Sequence, residues 1–182
     1  MKRMSMSRNA ILINWLGSTL AAILLLAASA LQASPLPHLP EFKAVGNGTL
    51  RFFGLRIYEA TLWAPDGVWS AGQPYALELV YARDFDGKAI ARRSIDEMRA
   101  QRPWPEATLA NWESEMRALF PDVAKGDSLI GVRQPGAGAT FYSATRRLGQ
   151  VLDEAFADAF FGIWLSPATS APELRARLLK LP

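Results

Sequence analysis

The chain has 182 residues, enough for one domain with short additions, and its 50% apolar, 20% charged and 10% aromatic content excludes a disordered tail protein. The formal charge of +3 resides in the first ten positions, in Lys2, Arg3 and Arg8; the other 17 bases balance 17 acids, which argues against a basic surface for nucleic acid. The lack of cysteine removes thiol nucleophiles, disulfides, iron–sulfur clusters and cysteine zinc sites, and a lone histidine leaves no imidazole pair for a metal.

Residues 1–33 read as an export signal. Three basic residues precede an apolar stretch from Ile11 to Leu31, and Ala28-Ser29-Ala30 or Leu31-Gln32-Ala33 offers the small residues of a cleavage site. The same stretch is long enough to span a bilayer if it is retained, so any membrane contact is expected through this segment alone. Either way the rest of the chain is expected outside the cytoplasm, periplasmic or secreted. Residues 34–41 form a Pro-rich linker. Its His38 reads as a solvated residue, since an extended Pro-rich segment is a poor mount for a catalytic base. Residues 42–182 form the domain.

Leu50 to Ala64 is dense in apolar and aromatic residues with Gly54 as a break, and reads as extended structure. Tyr58, Ala60 and Leu62 fall on one face, Ile57, Glu59, Thr61 and Trp63 on the other. Pro65-Asp66-Gly67 is a turn, and Tyr75 to Arg83 a further strand. The apolar period then changes. Asp86 caps a predicted helix through Ala100, with Ile90, Ile95 and Met98 inward. Pro105 suits the first turn of a second, running to about Phe120 with Leu109, Trp112, Met116 and Leu119 as its stripe. Ser128 to Arg133 and Thr140 to Ser143 read as strands, and a short strand holds Leu148 and Val151. Asp153 opens a helix through Phe161, and Pro172 begins a last one with Leu174, Leu178 and Leu179 inward. Grouped strands with short turns, interrupted by helix pairs, predict an α+β fold with a largely antiparallel sheet covered by helices.

Nothing in this order carries a cofactor motif, and none is expected. Gly46-Asn47-Gly48 and Gly136-Ala137-Gly138 do not complete a dinucleotide fingerprint, and both read as turns. Asp84 reads as a salt-bridge or capping residue near Arg83 or Arg51. Arg92 and Arg93 read as a solvated helix face. Asp153, Glu154 and Asp158 suit a helix start better than a pair of hydrolytic carboxylates. Eleven aromatic residues spread along the domain either fill a core or line an apolar cavity with Arg51 or Tyr58 at its polar end.

Four stretches, in this order, resemble the chalcone isomerase-like family in its bacterial exported branch. They are Leu50 to Trp63 (LRFFGLRIYEATLW), Tyr81 to Asp84 running into Ala91 to Ile95, Gly126-Asp127 followed by Pro135 to Tyr142 (PGAGATFY), and Ala159 to Leu165 (AFFGIWL). The resemblance spans about residues 42–181. It implies an open-faced β-sandwich in which helices cover a large antiparallel sheet. The plant isomerases close a flavanone ring with an arginine and a threonine around the first hairpin, a tyrosine and an asparagine on a middle helix, and a late threonine or serine. Arg51 is the match for the arginine. Tyr58 stands in the threonine's place, as in fatty-acid-binding members, Ala159 lacks the late hydroxyl, and Asn111 to Phe120 contains no tyrosine. The resemblance therefore implies a binding protein for a small hydrophobic or amphipathic ligand, such as a fatty acid, held by Arg51 and Tyr58 without metal or nucleic acid. The alternatives are an isomerase (intramolecular lyase) acting on a phenolic or enone substrate and an accessory protein that docks a partner.

Overall fold

The structure is a computed structural model that describes Leu39 and residues 41–182; the predicted export signal and nearly all of the Pro-rich linker lie outside the described residues. Six strands form one antiparallel sheet in chain order: β1 (Phe42–Phe52), β2 (Leu55–Pro65), β3 (Tyr75–Tyr81), β4 (Ser128–Arg133), β5 (Ala139–Ser143) and β6 (Arg147–Val151). Helices α1 (Gly87–Gln101) and α2 (Glu106–Leu119) occupy the connection from β3 to β4, and α3 (Glu154–Leu165) and α4 (Pro172–Leu179) follow the last strand. This is the α+β arrangement expected.

One row of residues across the sheet shows why the helices lie where they do. Paired positions run from Gly46 through Leu62, Leu77, Gly131 and Phe141 to Gly149, all on the helix-covered face. At Gly46 a Cβ would stand 2.3 Å from the Arg177 carbonyl oxygen and 2.6 Å from that of Leu178, so the backbone of α4 rests directly on β1. At Gly149 a Cβ would stand 2.3 Å from Leu119 Cδ2 of α2. Gly46-Asn47-Gly48 is therefore strand and not turn: the absence of side chains serves contact with a helix more than a hundred residues later. Gly136-Ala137-Gly138 is part of the β4–β5 turn, as expected, with both glycines at positive φ.

The strand–helix faces follow the alternation read from sequence. Ala60, Leu62 and Ala64 are buried beneath the helices. Ile95 and Met98 of α1, Leu109, Trp112 and Met116 of α2, and Leu174 and Leu178 of α4 close the same core, with Ile90, Leu119 and Leu179 at its edge. A smaller cluster of Phe42, Ala76, Ile130 and Val132 lies apart from it, with Trp63 and Tyr142 packed alongside. Asp86 caps α1 by accepting from Ala89 N at 2.8 Å, as predicted. Asp84 does not pair with Arg83 or Arg51; its Oδ1 accepts from Lys125 N at 2.8 Å and ties two loops together. Pro105 precedes α2 as its N-cap instead of sitting in its first turn.

Candidate functional site

Nine of the eleven aromatic residues settle into packing, and Phe52 and Phe53, expected with them, are exposed instead. Phe141 lies edge-on to Phe120 at 5.0 Å and to Phe160 at 5.1 Å, Phe156 stacks on Phe160 at 5.6 Å, and Trp112 lies edge-on to Trp104 at 4.7 Å. These rings fill the space between the sheet and the helices. Edge-to-face pairs at such separations add to the burial that holds the core. A pocket of about 120 Å³ lies elsewhere, at the Trp69–Tyr75 end of the sheet beside Arg133 and Asp158. Arg133 is neutralised there: its guanidinium donates to Glu154 at 2.6 and 3.2 Å and to Asp158 at 3.0 Å, and Glu154 also accepts from Gly138 N at 2.7 Å. The Arg133 bond is the chief reason the Glu154 carboxyl is held below the ordinary carboxylate range. Glu154 and Asp158 thus brace the α3 start against β4, in keeping with the structural role expected of them. Asp153 caps α3 through Ala155 N and Phe156 N, and its second oxygen accepts from Trp112 Nε1 at 2.8 Å.

Polar chemistry inside the sheet–helix layer gathers around Tyr58. Strand pairing sets Tyr58 directly opposite Tyr81, with ring centroids 6.0 Å apart, and Tyr81 in turn contacts the Phe85 ring at 5.6 Å. Trp164 Nε1, at the far end of α3, donates to Tyr58 Oη at 2.9 Å. Among the described residues nothing accepts the hydrogen of the Tyr58 hydroxyl and the Tyr81 hydroxyl makes no hydrogen bond, although the fully buried side-chain atoms without a partner are Trp69 Nε1 and Glu115 Oε2. Burial pushes the Tyr58 phenol up to about 12, against the opposing pull of the Trp164 hydrogen bond. Burial also pushes the Tyr81 phenol up, helped by the nearby Tyr58. Both groups therefore stay neutral at physiological pH and are hydrogen-bond donors rather than proton acceptors.

The second and third turns of α1 reach Tyr58. Glu97 and Arg93 both act electrostatically on Tyr58, and they are hydrogen-bonded to each other. Glu97, only 12% exposed, also accepts from Ser170 Oγ at 2.7 Å, which links α1 to the α3–α4 loop. Arg93 itself remains on the solvated face expected of it.

Arg51 and Tyr58 occupy different settings. Tyr58 is opposite Leu50, one register step before Arg51, which is opposite Arg56 across a bulge. Arg51 is exposed at the hairpin end, and its guanidinium donates to the Gly54 carbonyl at 3.3 Å. Ala159 is partly buried against the main core. Sequence reasoning placed Tyr81 in its strand and Trp164 among the aromatics but gave neither a role at Tyr58. The one available signal was the parity shared by Tyr58 and Tyr81 in neighbouring strands; the Trp164 bond spans 106 positions and has no local signature.

A family described as chalcone isomerase-like matches residues 40–180. An uncharacterised protein of Haemophilus influenzae is 28% identical over 149 residues, covering 81% of this chain and 71% of that one. A crystal structure of a fatty-acid binding protein of Arabidopsis thaliana superposes with a TM-score of 0.60 at 10% identity, covering 76% of this chain and 87% of that one, a likeness of fold. With the six-stranded sheet, its helical cover and a match over nearly all of the described residues, this chain belongs to the chalcone isomerase-like family.

Proposed function

We propose that this protein is a non-catalytic, exported binding protein for a small amphipathic molecule with an anionic head, of which a fatty acid is the simplest example. The observation that carries the reading is the pair of phenol groups, Tyr58 and Tyr81, side by side with hydroxyl hydrogens that no described residue accepts. Hydroxyl donors set among apolar rings gain from a charged acceptor, and a carboxylate supplies one. In this reading Tyr58 binds the head directly, Arg51 adds charge from the mouth of the hairpin, and the rings of Tyr81 and Phe85 flank the tail. The described core behind them is packed, so the ligand enters on the side of Tyr58 where Glu97 and Arg93 of α1 act on it. The Arabidopsis relative in fold is named for fatty-acid binding, which agrees with this choice of ligand. The high pKa of Tyr58 and the lack of a hydroxyl at Ala159 favour binding over proton transfer. Export rests on the character of residues 1–33.

The test is mass spectrometry of the organic-solvent extract of the purified protein, followed by titration with a fluorescent fatty acid. We expect a stoichiometric lipid in the native protein. Tyr58→Phe, which keeps the ring and removes the donor, should weaken binding about tenfold, the worth of one hydrogen bond to a charged group, and Arg51→Ala should also weaken it. A protein that is empty on purification and takes up no fatty acid overturns the reading.

A further inference from the structure

The hairpin joining β1 to β2 presents Arg51-Phe52-Phe53-Gly54-Leu55-Arg56 at its tip, and three of these residues are large and apolar. Phe53 is 90% exposed, Phe52 59% and Leu55 49%; among the described residues the other large exposed apolar ones, Val68, Val80, Leu152 and Leu181, are scattered. Phe53 and Gly54 both have positive φ, 47° and 77°, the geometry of a tight two-residue hairpin turn. Asparagine or aspartate is the usual residue at the first of these positions, and phenylalanine suits neither the left-handed backbone nor water. Immediately behind the tip, Arg51 and Arg56 are directly paired across the strands. Like charges placed opposite one another repel, and neither guanidinium is fully satisfied: Arg51 contacts the Gly54 carbonyl, and Arg56 reaches exposed Glu59 only at 3.8 Å.

We propose that this tip is a membrane-docking element for an anionic lipid bilayer. Phe52, Phe53 and Leu55 enter the interface, and the paired Arg51 and Arg56 meet lipid phosphates at headgroup level. A bilayer fits this arrangement because the tip is apolar on both strands of a narrow projection, with positive charge in a collar immediately behind it, matching the order of acyl chains and anionic headgroups. This contact is separate from any membrane role of the N-terminal segment; it shares Arg51 with the proposed ligand site, so its test rests on Phe53 and Arg56.

The experiment uses the compact unit Leu36–Pro182, which contains the whole described sheet and core, so that the apolar N-terminal segment does not itself bind lipid. It is sedimented with vesicles of phosphatidylcholine containing phosphatidylglycerol, and with phosphatidylcholine alone. Binding is expected to the anionic vesicles, to fall with added salt, and to fall about fivefold in Arg56→Gln, the contribution of one basic residue at an anionic surface. Phe53→Asn suits the turn better than the native residue, so its expected loss of vesicle binding cannot come from unfolding; it should leave fatty-acid titration unchanged. Native protein that ignores anionic vesicles, or Phe53→Asn that binds them equally well, overturns the proposal. Self-association abolished by Phe53→Asn, without vesicle binding, also overturns it and assigns the tip to a second copy. Vesicle binding without fatty-acid uptake supports the docking element and defeats the binding role proposed for Tyr58.

Discussion

A Cβ at position 46 would meet two main-chain oxygens of α4 at 2.3 and 2.6 Å, and main chain cannot rotate away as a side chain can. Gly46→Ala should therefore lift α4 from β1 and destabilise the domain by about 2–3 kcal/mol, in the range of overpacked cores. Urea unfolding checks this; a midpoint within error of the native protein would show that α4 yields freely. The same residue marks a limit of reading from sequence. A Gly-Asn-Gly run has the local character of a turn, and only its distant contact with Arg177 and Leu178 makes it strand. Tyr58 was legible as core-facing through its parity with Ala60 and Leu62, and its proposed role in binding came from family resemblance. Its partner Trp164 was not, because that hydrogen bond depends on where the end of α3 comes to rest.

At the scale of elements, the helix starts were the most legible features, because a cap is local chemistry. Asp86 and Asp153 both cap as their positions predict. Asp153 also holds the indole of Trp112, which is 1% exposed, so one side chain fastens α3 to α2. Asp153→Ala should cost about 2–3 kcal/mol, the loss of a cap together with a buried N–H left without an acceptor. Asp153→Ser restores the cap without reaching Trp112, and should recover about 1 kcal/mol of that loss. Thermal unfolding followed by tryptophan fluorescence separates the two contributions; equal losses in both variants would mean that the Trp112 bond carries the whole effect. Ser128 to Arg133 was legible as a strand from a local apolar run. The start of β1 at Phe42 was not, since its first eight residues are weakly apolar and are held by β2 and α4.

At the scale of the whole molecule, the layer between sheet and helices protects phenols as well as hydrocarbon. Of the four tyrosines, Tyr58, Tyr75 and Tyr81 all have their phenols pushed up, with burial as the chief cause. A group whose folded pKa lies above its ordinary value contributes stability that is complete below the ordinary value and is lost as pH rises through the folded one. For Tyr58 that interval runs from the ordinary 10.0 to about 12. Above its lower limit the unfolded chain releases protons that the folded chain retains, so stability should fall by about 1.4 kcal/mol per pH unit for each such tyrosine. The three act together, because unfolding the sheet–helix layer exposes all of them. Alkaline titration should therefore show tyrosinate absorbance rising in step with loss of the circular dichroism signal, and Tyr58→Phe should make the loss less steep. Ionisation of these tyrosines near their ordinary value in a chain whose circular dichroism is intact would mean that water already reaches the Tyr58–Tyr81 pair. The pair would then be wet before any ligand arrives, and its donors would gain far less from a carboxylate than desolvated ones do.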